Sequence, residues 1–83
     1  MKLDVLYFAW LRERIGLSQE RIETDAKTVA DLVAELRARE ERYELAFSDL
    51  SAIRVAVDQD LTEFDADLSD AREVAFFPPM TGG

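Results

Sequence analysis

Neither cysteine nor histidine occurs anywhere in the 83 residues. The first absence removes disulfides and any thiol nucleophile on this chain. The second removes the commonest general base and, with cysteine also missing, the usual zinc ligands, so no metal site is expected. Long uncharged apolar runs are missing too. Asp4 interrupts the first hydrophobic stretch, so neither a signal peptide nor a membrane span is expected, and a cytoplasmic protein is the default reading. Positive charge is scarce: 10 Lys and Arg face 18 Asp and Glu, a formal net charge of −8. Such a chain repels phosphate backbones, which argues against nucleic-acid binding. The acids concentrate late in the chain, where Asp58, Asp60, Glu63, Asp65, Asp67, Asp70 and Glu73 are accompanied only by Arg72. That stretch is either a solvated face or a device for steering toward a basic partner.

What is present suffices for one core. Hydrophobic residues make up 48 %, and the length leaves room for a single domain. Val5 to Trp10 is apolar throughout and predicts a central strand, covered on one side and free to dock something on the other. Leu11 to Ile15 predicts a short helical turn stopped by Gly16, and Glu20 to Thr24 a second strand in a hairpin with the first. Thr28 has the character of a helix cap. Val29, Leu32, Val33 and Leu36 follow at the spacing of one helical face, predicting a helix from about Val29 to Glu41. Glu35 and Arg39 stand four apart in the favourable order. Tyr43 to Ser51 reads as irregular, pinned by Leu45, Phe47 and Leu50.

Ile53, Val55 and Val57 alternate with Arg54, Ala56 and Asp58, the period of a half-buried strand. Asp58-Gln59-Asp60 is the expected turn. A short extended piece is expected around Phe64 and Leu68, and Glu73 to Phe77 is the last strand, ended by Pro78-Pro79. The order is strand, strand, helix, strand, short strand, strand. One main helix on a small mixed sheet is an α+β layer pair. The first and last strands are the most apolar, so they should lie side by side and parallel at the centre. That is the ubiquitin-like β-grasp, with residues 1–77 as the domain and 78–83 as a flexible tail.

The tail reads Pro78-Pro79-Met80-Thr81-Gly82-Gly83. Extended, six residues could reach about 20 Å beyond the sheet. Prolines stiffen its base, and glycines, lacking side chains, can thread a narrow channel. What such a tail delivers is the α-carboxylate of Gly83. A glycine pair alone would be no more than a frayed terminus. Its place directly after a buried-type strand makes it a projecting arm.

Glu73-Val74-Ala75-Phe76-Phe77-Pro78-Pro79-Met80-Thr81-Gly82-Gly83 closely resembles the ending of molybdopterin synthase small subunits, the MoaD family. Val5-Leu6-Tyr7-Phe8-Ala9 with Leu11-Arg12-Glu13 resembles the opening strand and turn of that family, and Val55-Ala56-Val57-Asp58-Gln59 its middle strand and turn. Two departures stand out. Asp58 occupies a position where the family often has Asn, and Ala71-Arg72 replaces a common Gly-Asp, which puts the turn before the last strand in question.

The resemblance implies that Gly83, assisted by the slim Gly82, is the reacting group. A separate adenylating enzyme, related to ubiquitin-activating enzymes, would use ATP and magnesium to form an acyl-adenylate on Gly83. Sulfur would then replace AMP to give a thiocarboxylate. The tail, from Pro78 through Met80 and Thr81 to Gly83, would enter the active site of the large subunit and give its sulfur to a cyclic pyranopterin phosphate. The assembly implied is a heterotetramer, two copies of each subunit, with no cofactor held stably by this chain. Leu6, Phe8, Phe77 and Leu61 are more hydrophobic residues than one helix can cover. By the same resemblance Phe8, Leu61 and Phe77 would meet the large subunit. Other readings stay open: a carrier for thiazole synthesis or tRNA thiolation, a ubiquitin-like modifier joined to lysines, or a plain interaction domain with an inert tail.

Overall fold

The computed structural model describes residues 1–79. Its centre is the pair of strands expected there. Strand β1 (Lys2–Tyr7) runs parallel to the last strand, β5 (Glu73–Phe77), with Val5 opposite Val74 and Tyr7 opposite Phe76. Strand β2 (Gln19–Glu23) is antiparallel to β1 on one flank. Strands β3 (Arg54–Val57) and β4 (Asp60–Thr62) complete the other flank, giving the spatial order β2-β1-β5-β3-β4. The fold is the ubiquitin-like β-grasp. None of the helices among the described residues is long and apolar enough to cross a membrane.

Alternation along β1 sends Leu3, Val5 and Tyr7 to the inner face. There they meet helix α2 (Val29–Arg39), whose Val29, Leu32, Val33 and Leu36 are all buried. The Thr28 hydroxyl accepts the Asp31 N–H at 3.1 Å, the cap expected at the start of this helix. Arg39 and Glu35 pair at 3.9 Å across one turn. Phe76 from β5 closes the core, with its ring edge-on to Phe47 at 4.9 Å between centroids.

Four boundaries differ from expectation. Helix α2 stops at Arg39, because Glu40 is extended at φ −151° and ψ 154°. A further helix, α3 (Glu41–Ala46), occupies much of the stretch expected to be irregular. Tyr43, Ala46 and Phe47 face the core from it and its end, whereas Leu45, expected as an anchor, is 57 % exposed. The break at Glu40 turns the chain so that these three return to the sheet instead of continuing past its end. Second, β1 ends at Tyr7. Ala9 takes φ 54° and ψ −131°, and helix α1 (Trp10–Ile15) begins directly after it, ending at the left-handed Gly16. Third, β2 is shifted one residue toward the N-terminus. Fourth, the short strand is Asp60–Thr62, not the segment around Phe64 and Leu68. That segment lies across the start of α2. The carbonyls of Phe64 and Ala66 accept the N–H groups of Ala30 and Val29, and Leu68 N–H donates to Lys27 O at 2.8 Å. It satisfies helix-start donors that would otherwise lack partners.

A polar cluster ties the layers together beneath β2. The Glu20 carboxylate accepts both the Tyr7 hydroxyl, at 2.8 Å, and the Tyr43 hydroxyl, at 2.6 Å. Burial and this carboxylate together push the Tyr43 phenol up to about 12 and raise that of Tyr7 as well.

Candidate functional site: the outer face of the sheet

The helices cover one face of the sheet, and the other is left to solvent or to a partner. Register decides what stands on it. Because Leu3, Val5 and Tyr7 point inward, Lys2, Asp4, Leu6 and then Phe8 point outward. Asp4 lies opposite Glu73, Leu6 opposite Ala75, Ala75 opposite Ala56, and Ala56 opposite Leu61. Arg54 lies opposite Phe77. Phe8 continues the β1 line, its N–H donating to Phe76 O at 3.1 Å.

The face therefore has two halves. One end is charged. Arg21 and Asp4 pair at 2.9 Å, and the guanidinium holds the Asp4 carboxyl below its ordinary value. The other end, where β5 runs out into Pro78 and Pro79, is apolar. Leu6, Ala75 and Ala56 form a low central row. Leu61 and Phe8, 71 % and 47 % exposed, rise around it, and Phe77 is half-buried among them. Exposed large apolar residues gathered like this mark a docking surface more often than a chance cluster.

Phe8, Leu61 and Phe77, far apart in the chain, are thus brought to one face, as is Leu6. Pro78 and Pro79 follow at its edge, half-buried. Met80, Thr81, Gly82 and Gly83, to which the family resemblance assigns the reacting group and its approach, lie outside the described residues. Three contributors were missed by sequence reading: Ala56, Ala75 and Arg54. The signal for two of them was present in the alternation of Arg54 and Ala56 with buried neighbours. Which strand each would face was not.

The acidic stretch divides as well. Asp58 and Gln59 take φ 49° and 73° and form the two-residue hairpin turn between β3 and β4. A turn with both central residues at positive φ favours Asn, Asp and Gly, so Asp58 serves where the family often has Asn. Its carboxylate also accepts the N–H groups of Arg72 and Glu73, both at 2.9 Å. That clamp holds the start of β5. Ala71 and Arg72 adopt no positive φ, so the missing Gly-Asp costs nothing here. Asp67 binds the backbone and hydroxyl of Ser69. Asp60, Glu63, Asp65 and Asp70 remain exposed.

Known proteins share this design. The chain is 42 % identical over 81 residues to the molybdopterin synthase sulfur carrier subunit of Escherichia coli (strain K12), covering 98 % of this chain and 99 % of that one. It is 35 % identical, over the same share of each chain, to the subunit of the same name from Haemophilus influenzae. Among solved structures, a putative molybdopterin converting factor subunit 1 from Pyrococcus furiosus superposes with a TM-score of 0.75 at 30 % identity, covering 96 % of this chain and 99 % of that one. A protein–protein complex of subunits 1 and 2 of the molybdopterin-converting factor from Helicobacter pylori matches in fold, with a TM-score of 0.65 at 22 % identity over the full length of both chains. These relatives bear out the resemblance drawn from the ending Glu73 to Gly83, and with a family model matching residues 5–83, the chain belongs to the ThiS family.

Proposed function

We propose that this chain is the sulfur-carrying small subunit of molybdopterin synthase. The observation that supports it most is the placement of the apolar half of the outer face. It surrounds the end of β5, from which the chain continues into Pro78 and the residues leading to Gly83. A partner that covers Phe8, Leu61 and Phe77 is thereby positioned to receive the tail.

The chemistry follows from what the chain lacks. A free carboxylate is a poor acyl donor, and no side chain here can activate it. A partner adenylating enzyme supplies ATP and magnesium. The Gly83 carboxylate attacks the α-phosphorus, pyrophosphate leaves, and an acyl-adenylate forms. A sulfur nucleophile then displaces AMP and leaves a thiocarboxylate. In the large subunit, the thiocarboxylate sulfur passes to a cyclic pyranopterin phosphate, and the Gly83 carboxylate is regenerated with water. A dithiolene holds two sulfurs, so two charged carriers are used per product, as a heterotetramer with two copies of each subunit would supply. The setting is the cytoplasm, where these small-molecule partners meet.

Position matters as much as presence. Deleting Gly83 withdraws the carboxylate by about 3.5 Å, when misplacement by about 1 Å can cost on the order of a hundredfold. The native chain, a Gly83 deletion and Gly82→Ala should each be incubated with adenylating enzyme, ATP and a sulfide source, and then weighed. Only the native chain should show the mass of one oxygen exchanged for sulfur and then support pterin conversion. Full activity in the Gly83 deletion would leave a plain interaction domain as the account. Isopeptide-linked ladders in cells would favour a protein modifier, and a charged carrier that serves thiazole synthesis or tRNA thiolation but not pterin conversion would move it to those pathways.

A further inference from the structure

The apolar half of the outer face is bordered by a cation from β3. Arg54, the first residue of β3, stands opposite Phe77, the last residue of β5. It is exposed, and one corner of its guanidinium is held: Nη1 donates to Ser51 O at 3.3 Å and to Ile53 O at 3.2 Å. Its other guanidinium donors have no acceptor among the described residues. Glu63, the residue after β4, lines the same groove of about 440 Å³ together with Leu61 and Phe64, and among the described residues no ion pair joins it to Arg54.

Such a cation presents a problem to any partner that covers Phe77 and Leu61. Docking strips water from the guanidinium, and a desolvated charge without a counter-charge opposes binding. An apolar partner surface would therefore reject this chain, whereas one with an anion at that point would accept it. We propose that Arg54 is a specificity-determining residue that takes a carboxylate presented by the large subunit. The proposal rests on the carrier reading above. A protein carboxylate fits better than a phosphate of the substrate. Six residues, with a reach of about 20 Å when extended, separate Phe77 from the Gly83 carboxylate, so a tail held straight in a channel carries the reacting carboxylate well away from Arg54. The planar fork of arginine suits a carboxylate held in two contacts, which a lysine in the same place could not reproduce.

The test is binding of the full-length chain to the large subunit, with dissociation followed by surface plasmon resonance, for native protein, Arg54→Ala, Arg54→Lys, Arg54→Glu and Phe77→Ala. Arg54→Ala should raise Kd by about 30-fold or more, mainly through faster dissociation. Arg54→Lys should fall between, and Arg54→Glu should bind more weakly than Arg54→Ala. A lysine placed at one large-subunit carboxylate should restore binding to Arg54→Glu, a rescue that a merely structural arginine would not show. If Arg54→Ala proves unfolded by circular dichroism, the lysine variant and the rescue decide. Arg54→Ala and Arg54→Glu binding within about twofold of native, while Phe77→Ala loses binding, would overturn the role of Arg54 and leave the carrier reading intact. No binding by the native chain would take down both.

Discussion

Replacing Ala9 by glycine should make this domain more stable. Ala9 sits at φ 54° and ψ −131°, a region where an L-residue places its Cβ against its own backbone. A non-glycine residue held there costs on the order of 1–3 kcal/mol. The surroundings enforce it from both sides. On one side the Phe8 N–H is tied to Phe76 O at 3.1 Å. On the other, Leu11 N–H donates to Phe8 O at 3.2 Å and Glu13 N–H to Ala9 O at 3.3 Å, while the Leu11 side chain is fully buried. The chain must leave the end of β1 and start α1 within three residues, and Ala9 makes that turn at positive φ. Glycine removes the Cβ conflict but returns about 0.5–1 kcal/mol through the freer unfolded chain. The net expectation is a gain of about 0–2.5 kcal/mol, and each kcal/mol corresponds to roughly 4–8 °C in Tm for a domain of this size. Ala9→Val should do the opposite, because a β-branched side chain at positive φ adds conflict. Urea titrations of the three proteins, with unchanged m-values, would measure this. A glycine variant less stable than native, or a valine variant equal to it, would refute the argument that Ala9 is held under strain.

Two further outcomes are expected of the fold. Leu36 is fully buried on the sheet-facing stripe of α2, so Leu36→Ala should cost roughly 2–5 kcal/mol in urea unfolding; a loss below about 0.5 kcal/mol would remove it from the core. The Tyr43 phenol, raised to about 12 by burial and by Glu20, binds its proton more tightly in the folded chain than its unfolded value near 10 allows, so stability should fall as pH rises from about 10 to 12; Tyr43→Phe should lose about 1 kcal/mol at neutral pH but show a shallower alkaline fall, and an unchanged slope would count against the shared carboxylate.

What could be read from the sequence depended on how local its cause was. Helix α2 was legible because its cap and its stripe lie within eleven residues. Strand β5 was legible to the residue, since the run from Glu73 to Phe77 is bounded by prolines on one side. Helix α3 was not, although Tyr43, Ala46 and Phe47 follow helical spacing, because a six-residue helix owes its existence to what it packs against. Strand β4 is three residues long and exists only as the partner of β3. The outer face was harder still. Phe8, Leu61 and Phe77 could be named as surplus hydrophobics, but only register brings them together, and Arg54 with them.

The adjacent phenylalanines show how narrow the margin is. Phe76 and Phe77 must point to opposite faces of β5. Phe76 is fully buried against Phe47 and Tyr7, while Phe77 stands half-buried on the outer face beside the flat Ala75. A slip of one residue in the pairing of β5 would send Phe77 and Ala75 into the core and Phe76 and Val74 out. Two features oppose it. The small Ala75 would leave a void under the helices where Val74 or Phe76 now fits. The Asp58 carboxylate also fixes the start of the strand through the N–H groups of Arg72 and Glu73. The clamp at one end of β5 and the aromatic packing along it thus decide which face Phe77 presents, and with it where the chain departs toward Gly83.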